Sequence, residues 1–126
     1  MSAKVRALRG ATTIDEDTPS HIQERVATLL TAMFERNDID VDDVVSIFFS
    51  ATSDIRSTFP ATGARAAFAA LSETPLINMA ELDVAGALRS CVRVMAHVYT
   101  DRSKSALEHV YLEGAASLRP DLAKTT

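Results

Sequence analysis

The sequence predicts an α+β fold: a single domain in which one mixed five-stranded sheet carries two main helices on one face. Apolar residues recur at helical spacing from about residue 19 to 36. Two runs, 44–52 and 90–99, are rich in the β-branched and apolar residues of buried strands. The elements follow the order β-α-β-α-β-β-β, and with 126 residues and no internal repeat we expect one domain over residues 1–126.

Two helices are predicted, and the first has clear start signals. Thr18 is placed to cap it and Pro19 to occupy its first position. The second helix is predicted to run from Pro60 through Leu71, with Phe68 and Leu71 facing inward. The apolar stripe of the first helix comprises Ile22, Val26, Leu29, Leu30, Met33 and Phe34.

The strands are predicted at 4–10, 44–52, 75–81, 90–99 and 108–114. Strands 44–52 and 90–99 are apolar on both sides, whereas the two helices suffice to cover only one face of the sheet. A second copy of the chain is the simplest cover for the other face, so we expect an oligomer. Residues from about 115 to 126 are expected to form a mobile C-terminal tail.

Composition excludes several classes of function. The net charge of −4 argues against a general nucleic-acid binder and against a polybasic membrane binder. No apolar run approaches the roughly 20 residues needed to cross a bilayer. Cys91 is the single cysteine, so no internal disulfide is possible, and the N-terminus MSAKVRALRG has no apolar leader. We therefore expect a cytoplasmic protein.

Metal, cofactor and nucleophile signatures are absent from the sequence. His21, His97 and His109 are scattered and show no zinc-ligand spacing with Cys91. There is no GxSxG motif, and the four glycines are not clustered into a phosphate-binding loop. The acidic run at 38–43 has the composition of a solvated turn, although acid–base dyads stay open. We expect no metal and no cofactor.

Arginine is the unusual residue of this chain, since ten of the thirteen Lys and Arg residues are Arg. Genomic base composition explains that total equally well, but Arg9 ends an apolar strand face and Arg93 interrupts a buried strand. A guanidinium is costly to bury without an anion. For Arg93 that anion is either Glu81 or Asp83 in an ion pair, or a ligand, and Arg9 is either a surface cation at a strand end or part of the same site. Two rigid arginines would suit a small substrate with more than one carboxylate, handled by positioning and fixed charge.

Six segments together resemble a known family. They are RGATT at 9–13, SATSDIRSTFPA at 50–61, ELDV at 81–84, CVRVM at 91–95, HVYLEGA at 109–115 and LRPDL at 118–122. In this order, and over nearly the whole chain, they are similar to the class II monofunctional chorismate mutases.

The resemblance implies a homotrimer whose sheets surround a barrel-like core, with an active site in each cleft between adjacent subunits. It implies the Claisen rearrangement of chorismate, a dicarboxylate, to prephenate on the route to phenylalanine and tyrosine. That reaction needs neither proton transfer nor a cofactor, which agrees with the missing nucleophiles and metal ligands.

The resemblance also implies four catalytic residues. Arg93 resembles the arginine that donates to the ether oxygen, and Arg9 the arginine that binds a substrate carboxylate. Tyr111 resembles the tyrosine that reaches a carboxylate from the cleft wall. Glu81 resembles the acid that accepts a hydrogen bond from the ring hydroxyl.

Further substrate contacts are implied at the edge of the cleft. Phe59 and Ala61 resemble the wall that the neighbouring subunit packs on the substrate. Arg65 and Arg119 resemble outer cations, and Leu118 and Arg119 belong to the tail that orders over the ligand.

Two positions depart from the family pattern. Asn78 stands where the family often has a cysteine near the ring hydroxyl, and an amide can also donate or accept there, so Asn78 is kept as a substrate contact. Thr62 stands where the family often has lysine, so one cation at the rim is missing.

Two other functions stay open at this point. One is a trimeric regulatory protein that binds a small carboxylate, since a scaffold does not dictate a function. The other is a proton-transferring isomerase or deaminase on a similar scaffold.

Overall fold

A computed structural model describes residues 3–118 as one mixed sheet with two α-helices on one face. The sheet order is β3-β2-β4-β1-β5, in which β4 is antiparallel to both β1 and β2, and the β2–β3 and β1–β5 pairs are parallel. The predicted fold class is confirmed. The strands are β1 Lys4–Thr13, β2 Val44–Ala51, β3 Leu76–Ala80, β4 Cys91–Thr100 and β5 Val110–Tyr111.

The first helix, α1, spans Pro19–Arg36 as predicted. Thr18 has extended backbone and its hydroxyl accepts from the His21 N–H, so it caps the helix, and Pro19 opens it. All six residues of the predicted stripe are buried against the sheet.

The second helix, α2, is shorter than predicted, because it spans only Pro60–Ala67. Phe68 is extended, with a φ of −132°, and its ring packs edge-on against Phe34 at 5.6 Å between centroids. A 3₁₀ turn, Ala69–Glu73, then brings Leu71 into the core. The backbone leaves the α-helix at Phe68 and both predicted apolar side chains still reach the interior.

The last strand is also shorter than predicted. β5 pairs only with Gly10 and Ala11 of β1, over two residues. Glu113 then adopts a φ of +52°, which turns the chain out of the strand and into a 3₁₀ turn, Glu113–Ser117. The start of the predicted tail therefore lies in this turn, where Ala115 is buried; its remainder, 119–126, is outside the described residues.

The sheet face opposite the helices is apolar and has no cover within residues 3–118. The large apolar side chains that it exposes are Val5, Phe48, Ile77, Met79, Met95 and Tyr99. The alternation of β2 and β4 thus agrees with the prediction that the helices cover only one face. No helix within the described part of the chain is long and apolar enough to span a membrane.

Replacement of Gly63 by alanine is predicted to destabilise the fold. A Cβ at Gly63 would lie 2.9 Å from the Cα of Gln23 in α1, and a backbone atom cannot swing aside as a side chain can. Overpacking typically costs about 1–3 kcal/mol, which outweighs the ~1 kcal/mol that alanine gains over glycine in a helix. Urea unfolding at one protein concentration measures the loss.

The control for Gly63→Ala is Thr62→Ala, at an exposed position of the same helix. We expect it to leave the urea midpoint nearly unchanged. Equal midpoints for wild type and Gly63→Ala would show that α1 and α2 are not in close contact at this point.

Candidate active site

A groove of about 290 Å³ lies on the uncovered face of the sheet and collects three of the predicted catalytic side chains. Arg9, Arg93 and Tyr111 line it, although they come from three different strands. Their meeting follows from strand register, since Ala11 pairs with both Arg93 of β4 and Tyr111 of β5. The apolar walls of the groove include Phe48, Met79 and Met95.

Arg93 and Glu81 form an ion pair at the edge of this groove. The Nε of Arg93 lies 3.2 Å from Oε1 of Glu81, but the atoms are not aligned for a hydrogen bond. The same Oε1 accepts a 2.7 Å hydrogen bond from the Ser50 hydroxyl. Of the two acids considered from sequence, Glu81 is therefore the partner, whereas Asp83 is exposed in the following loop.

Two buried polar atoms at the groove have no hydrogen-bond partner within residues 3–118. They are Nε of Arg93 and the hydroxyl of Tyr111. A buried donor without a partner costs free energy, and most such groups in proteins are paired. Because both atoms belong to one groove, the groove is suited to a ligand that accepts hydrogen bonds. The Arg93 side chain, 36% exposed, can still reach such a ligand beside Glu81.

Cys91 lies two residues before Arg93 and is almost completely buried. Burial raises the pKa of its thiol, and the nearby Arg93 guanidinium opposes that shift only in part. The sulfur is therefore a neutral member of a small apolar cluster that also contains Tyr111 and Ala115, with Leu118 packed against it. Among residues 3–118, no three His, Cys, Asp or Glu side chains are grouped to hold a metal ion.

Asp54 joins the end of β2 to the start of β4. Its carboxylate accepts hydrogen bonds from the hydroxyls of Thr52 and Ser90 and from the Ser90 N–H. Burial works to raise the pKa of Asp54, but these hydrogen bonds outweigh it and the pKa is lowered. The Thr52 hydroxyl in turn accepts from the Cys91 N–H, so this cluster holds the β4 terminus in place.

Phe59, Ala61 and Asn78 lie away from the first groove. Phe59 is 66% exposed and lines a second groove of about 440 Å³ together with Asn78. The Asn78 Oδ1, however, accepts the Ala61 N–H and so caps the start of α2. Ala61 is fully buried and offers no surface to a ligand. Ala61 and Asn78 are therefore joined by a hydrogen bond within the chain, which the sequence motifs did not indicate.

Of the two predicted outer cations, Arg65 falls within the described residues. Arg65 is exposed on α2 and lines neither groove, and Arg119 is outside the described residues. Leu118 is half-buried beside the cluster around Tyr111.

Ser50 also lines the groove and was not among the residues predicted from the sequence. It pairs with Arg93 across β2 and β4 and donates to Glu81. Its spacing from Phe48 along β2 places it on the uncovered face, but only the β2–β4 register identifies its neighbours.

Replacement of Asp54 by asparagine is predicted to lower stability by about 1–2 kcal/mol at pH 7, because hydrogen bonds to a charged group become bonds to a neutral one. The pKa of Asp54 is lowered by folding, so its contribution is complete above the ordinary value of 3.8 and is lost as the pH falls through the folded-state pKa. Chemical unfolding at pH 7 and pH 3 measures both stabilities.

The difference in the free energy of unfolding between wild type and Asp54→Asn should be smaller at pH 3 than at pH 7. Asp83→Asn, at an exposed position, is the control and should cost little at either pH. A cost for Asp54→Asn that stays the same at both values of pH would contradict the charge-assisted arrangement.

Comparisons with known proteins identify the family of this chain. The family model described as chorismate mutase type I matches residues 5–122, and its designation replaces the term class II used for the resemblance above. Chorismate mutase AroH of Bacillus subtilis (strain 168) is 40% identical over 96% of this chain and 94% of its own length. The AroH protein of Thermus thermophilus is 40% identical over 94% of this chain and 96% of its own.

A solved structure of a chorismate mutase has the same fold as this chain. A chorismate mutase from Clostridium thermocellum superposes with a TM-score of 0.85 at 43% identity, covering 89% of this chain and 98% of its own. From its fold, its groove and these matches, the chain belongs to the chorismate mutase type I family.

Proposed function

We propose that this protein is a chorismate mutase, an isomerase that converts chorismate to prephenate in the biosynthesis of phenylalanine and tyrosine. The observation that carries the proposal is the groove that joins Arg9, Arg93 and Tyr111, with two buried donors left for a ligand. Chorismate carries two carboxylates and an ether oxygen, which are acceptors for these groups. Relatives over nearly the full chain bear the name chorismate mutase.

The reaction requires little chemistry from the protein. The ether C–O bond breaks as a C–C bond forms and the double bonds shift, all in one concerted step. No proton is transferred, nothing is oxidised or reduced, and no cofactor takes part. Arg9 and Tyr111 bind substrate carboxylate and hold the flexible side chain over the ring, so that the two reacting carbons meet. The enzyme thus lowers the barrier by positioning the substrate and by stabilising charge.

Arg93 supplies the electrostatic part of the mechanism. Negative charge grows on the ether oxygen as its bond lengthens, and a guanidinium already in place need not reorganise to stabilise it. The ion pair with Glu81, which is itself held by Ser50, fixes the guanidinium on β4. Glu81 accepts a hydrogen bond from the ring hydroxyl of the substrate, since a carboxylate has more acceptor sites than Ser50 and Arg93 occupy.

A homotrimer completes the site in this proposal. The uncovered apolar face of the sheet is suited to burial against further copies of the chain, which leaves a cleft at each boundary. The exposed Phe59 ring lines one side of such a cleft, contributed by the neighbouring copy. Arg65, Leu118 and Arg119 are proposed at its rim, and Asn78 beside Phe59, whose groove it lines. Ala61 is fully buried, and its backbone N–H donates to Asn78.

Location in the cytoplasm is a further part of the proposal. It is supported by the single cysteine, Cys91, which is buried as a free thiol.

The direct test is incubation of the purified protein with chorismate, followed as loss of chorismate absorbance and formation of prephenate. Prephenate formation without added metal or cofactor is expected. Binding of chorismate without turnover would favour the regulatory carboxylate-binding protein instead. A product other than prephenate would favour a proton-transferring isomerase or deaminase.

Replacement of Arg93 by glutamine is predicted to lower kcat far more than it changes KM. The loss of one preorganised donor to a developing oxyanion typically costs ~10²–10³ in rate. Arg102→Gln is the matched control, because Arg102 pairs with Asp38, and Arg102 does not line the groove. Near-normal turnover by Arg93→Gln would overturn the role assigned to Arg93.

A trimer is predicted in solution at the concentrations used for the assay. Sedimentation equilibrium should give about three times the chain mass of 13.6 kDa. Val5→Asp introduces a charge on the exposed apolar face, opposite Tyr99 in the sheet, and should weaken assembly and activity together. Full activity from a species with the mass of one chain would contradict a site shared between copies.

A further inference from the structure

We propose that His109 is a positioning residue for Arg9, and so sets the affinity for the substrate carboxylate. The backbone N–H of Arg9 donates to Nδ1 of His109 at 3.0 Å, across 100 positions of sequence. This inference rests on the proposed function, because it assigns a role to Arg9 in binding chorismate. It adds a residue that contacts the backbone of Arg9 but does not line the groove.

The His109 ring replaces a strand partner at the edge of the sheet. β5 is only two residues long and pairs with Gly10 and Ala11, so its ladder stops just before Arg9. On this edge of β1 the Ala11 carbonyl accepts from the Leu112 N–H. The imidazole extends the pairing by one position, to the residue whose side chain enters the groove.

A buried amide fixes the backbone next to His109. Asn37 ends α1 and is 1% exposed. Its Nδ2 donates to the Glu108 carbonyl at 2.9 Å. Its Oδ1 accepts a hydrogen bond from the Glu108 N–H at 2.7 Å. The same Nδ2 donates to the Met33 carbonyl at 2.8 Å. The core of the helix layer thereby holds the segment that carries both His109 and Tyr111.

The geometry also defines the state of the ring. A backbone N–H can only donate, so Nδ1 of His109 is the acceptor and the proton of the neutral ring is on Nε2. The hydrogen bond fixes the peptide plane before Arg9 and with it the direction in which the Arg9 side chain leaves β1. A site tolerates only small displacements of such a group.

The test compares His109→Leu with His109→Asn. Leucine fills similar space without an acceptor, whereas the asparagine Oδ1 can take the place of Nδ1. Loss of one hydrogen bond to a positioning group should raise KM about three- to tenfold in His109→Leu and leave kcat nearly unchanged. His109→Asn should restore KM towards the wild-type value.

A matched control is available at His21. Its Nε2 accepts the Asp15 N–H, also at 3.0 Å, but on the helix side of the molecule and outside the groove. His21→Leu removes the same type of bond and should leave KM for chorismate unchanged. An equal rise in KM for His21→Leu and His109→Leu would overturn the inference, since it would reflect general loosening of the fold.

A double-mutant cycle with Arg9→Ala tests whether His109 acts through Arg9. Arg9→Ala alone should raise KM, and His109→Leu should add almost nothing in that background. A full additional effect, or an unchanged KM in His109→Leu alone, would overturn the inference while wild-type turnover still supported the proposed function. An inactive wild-type protein would instead refute the proposed function itself.

Discussion

The groove depends on one constraint, the antiparallel pairing of β1 with β4. This register sets Ala11 opposite Arg93 and Arg9 opposite Met95, so that two guanidinium groups share one face of the sheet. A slip of one residue would turn every side chain of β1 to the opposite face, and Arg9 would then point at the helix layer. The strand ladder therefore fixes the relative positions of Arg9 and Arg93, which suits the proposed reaction because it depends on fixed charge.

The charged groups at the groove are paired with one another. Arg93 has Glu81 beside it, and Glu81 has Ser50, so neither charge is isolated, yet Arg93 Nε and the Tyr111 hydroxyl lack hydrogen-bond partners in the described chain. An ion pair of this kind holds the guanidinium in place more than it stabilises the fold. A ligand that accepts hydrogen bonds would supply the partners that these two groups lack within residues 3–118.

Local signals predicted α1 well, because Thr18, Pro19 and a stripe of six apolar residues all indicate the same helix. The ends of α2 and β5 were wrong, because they depend on tertiary packing: Phe68 leaves the helix to meet Phe34, and Glu113 turns the chain after two paired residues.

The candidate site was predictable in part. Segments similar to the family identified Arg9, Arg93 and Tyr111, and the structure brings them together. Ser50 and His109 were missed, because each acts through a neighbour that only strand pairing supplies. The placement of Asn78 and Ala61 outside this groove was not predictable either, because it depends on a hydrogen bond between β3 and the start of α2.

The most direct measurement is a crystal structure of the protein with a bicyclic dicarboxylate that mimics the transition state. The account predicts that the Arg93 guanidinium donates to the bridging ether oxygen of the mimic, while Arg9 and Tyr111 contact a carboxylate. A mimic bound with its ether oxygen away from Arg93, and with the guanidinium still held by Glu81 alone, would contradict it.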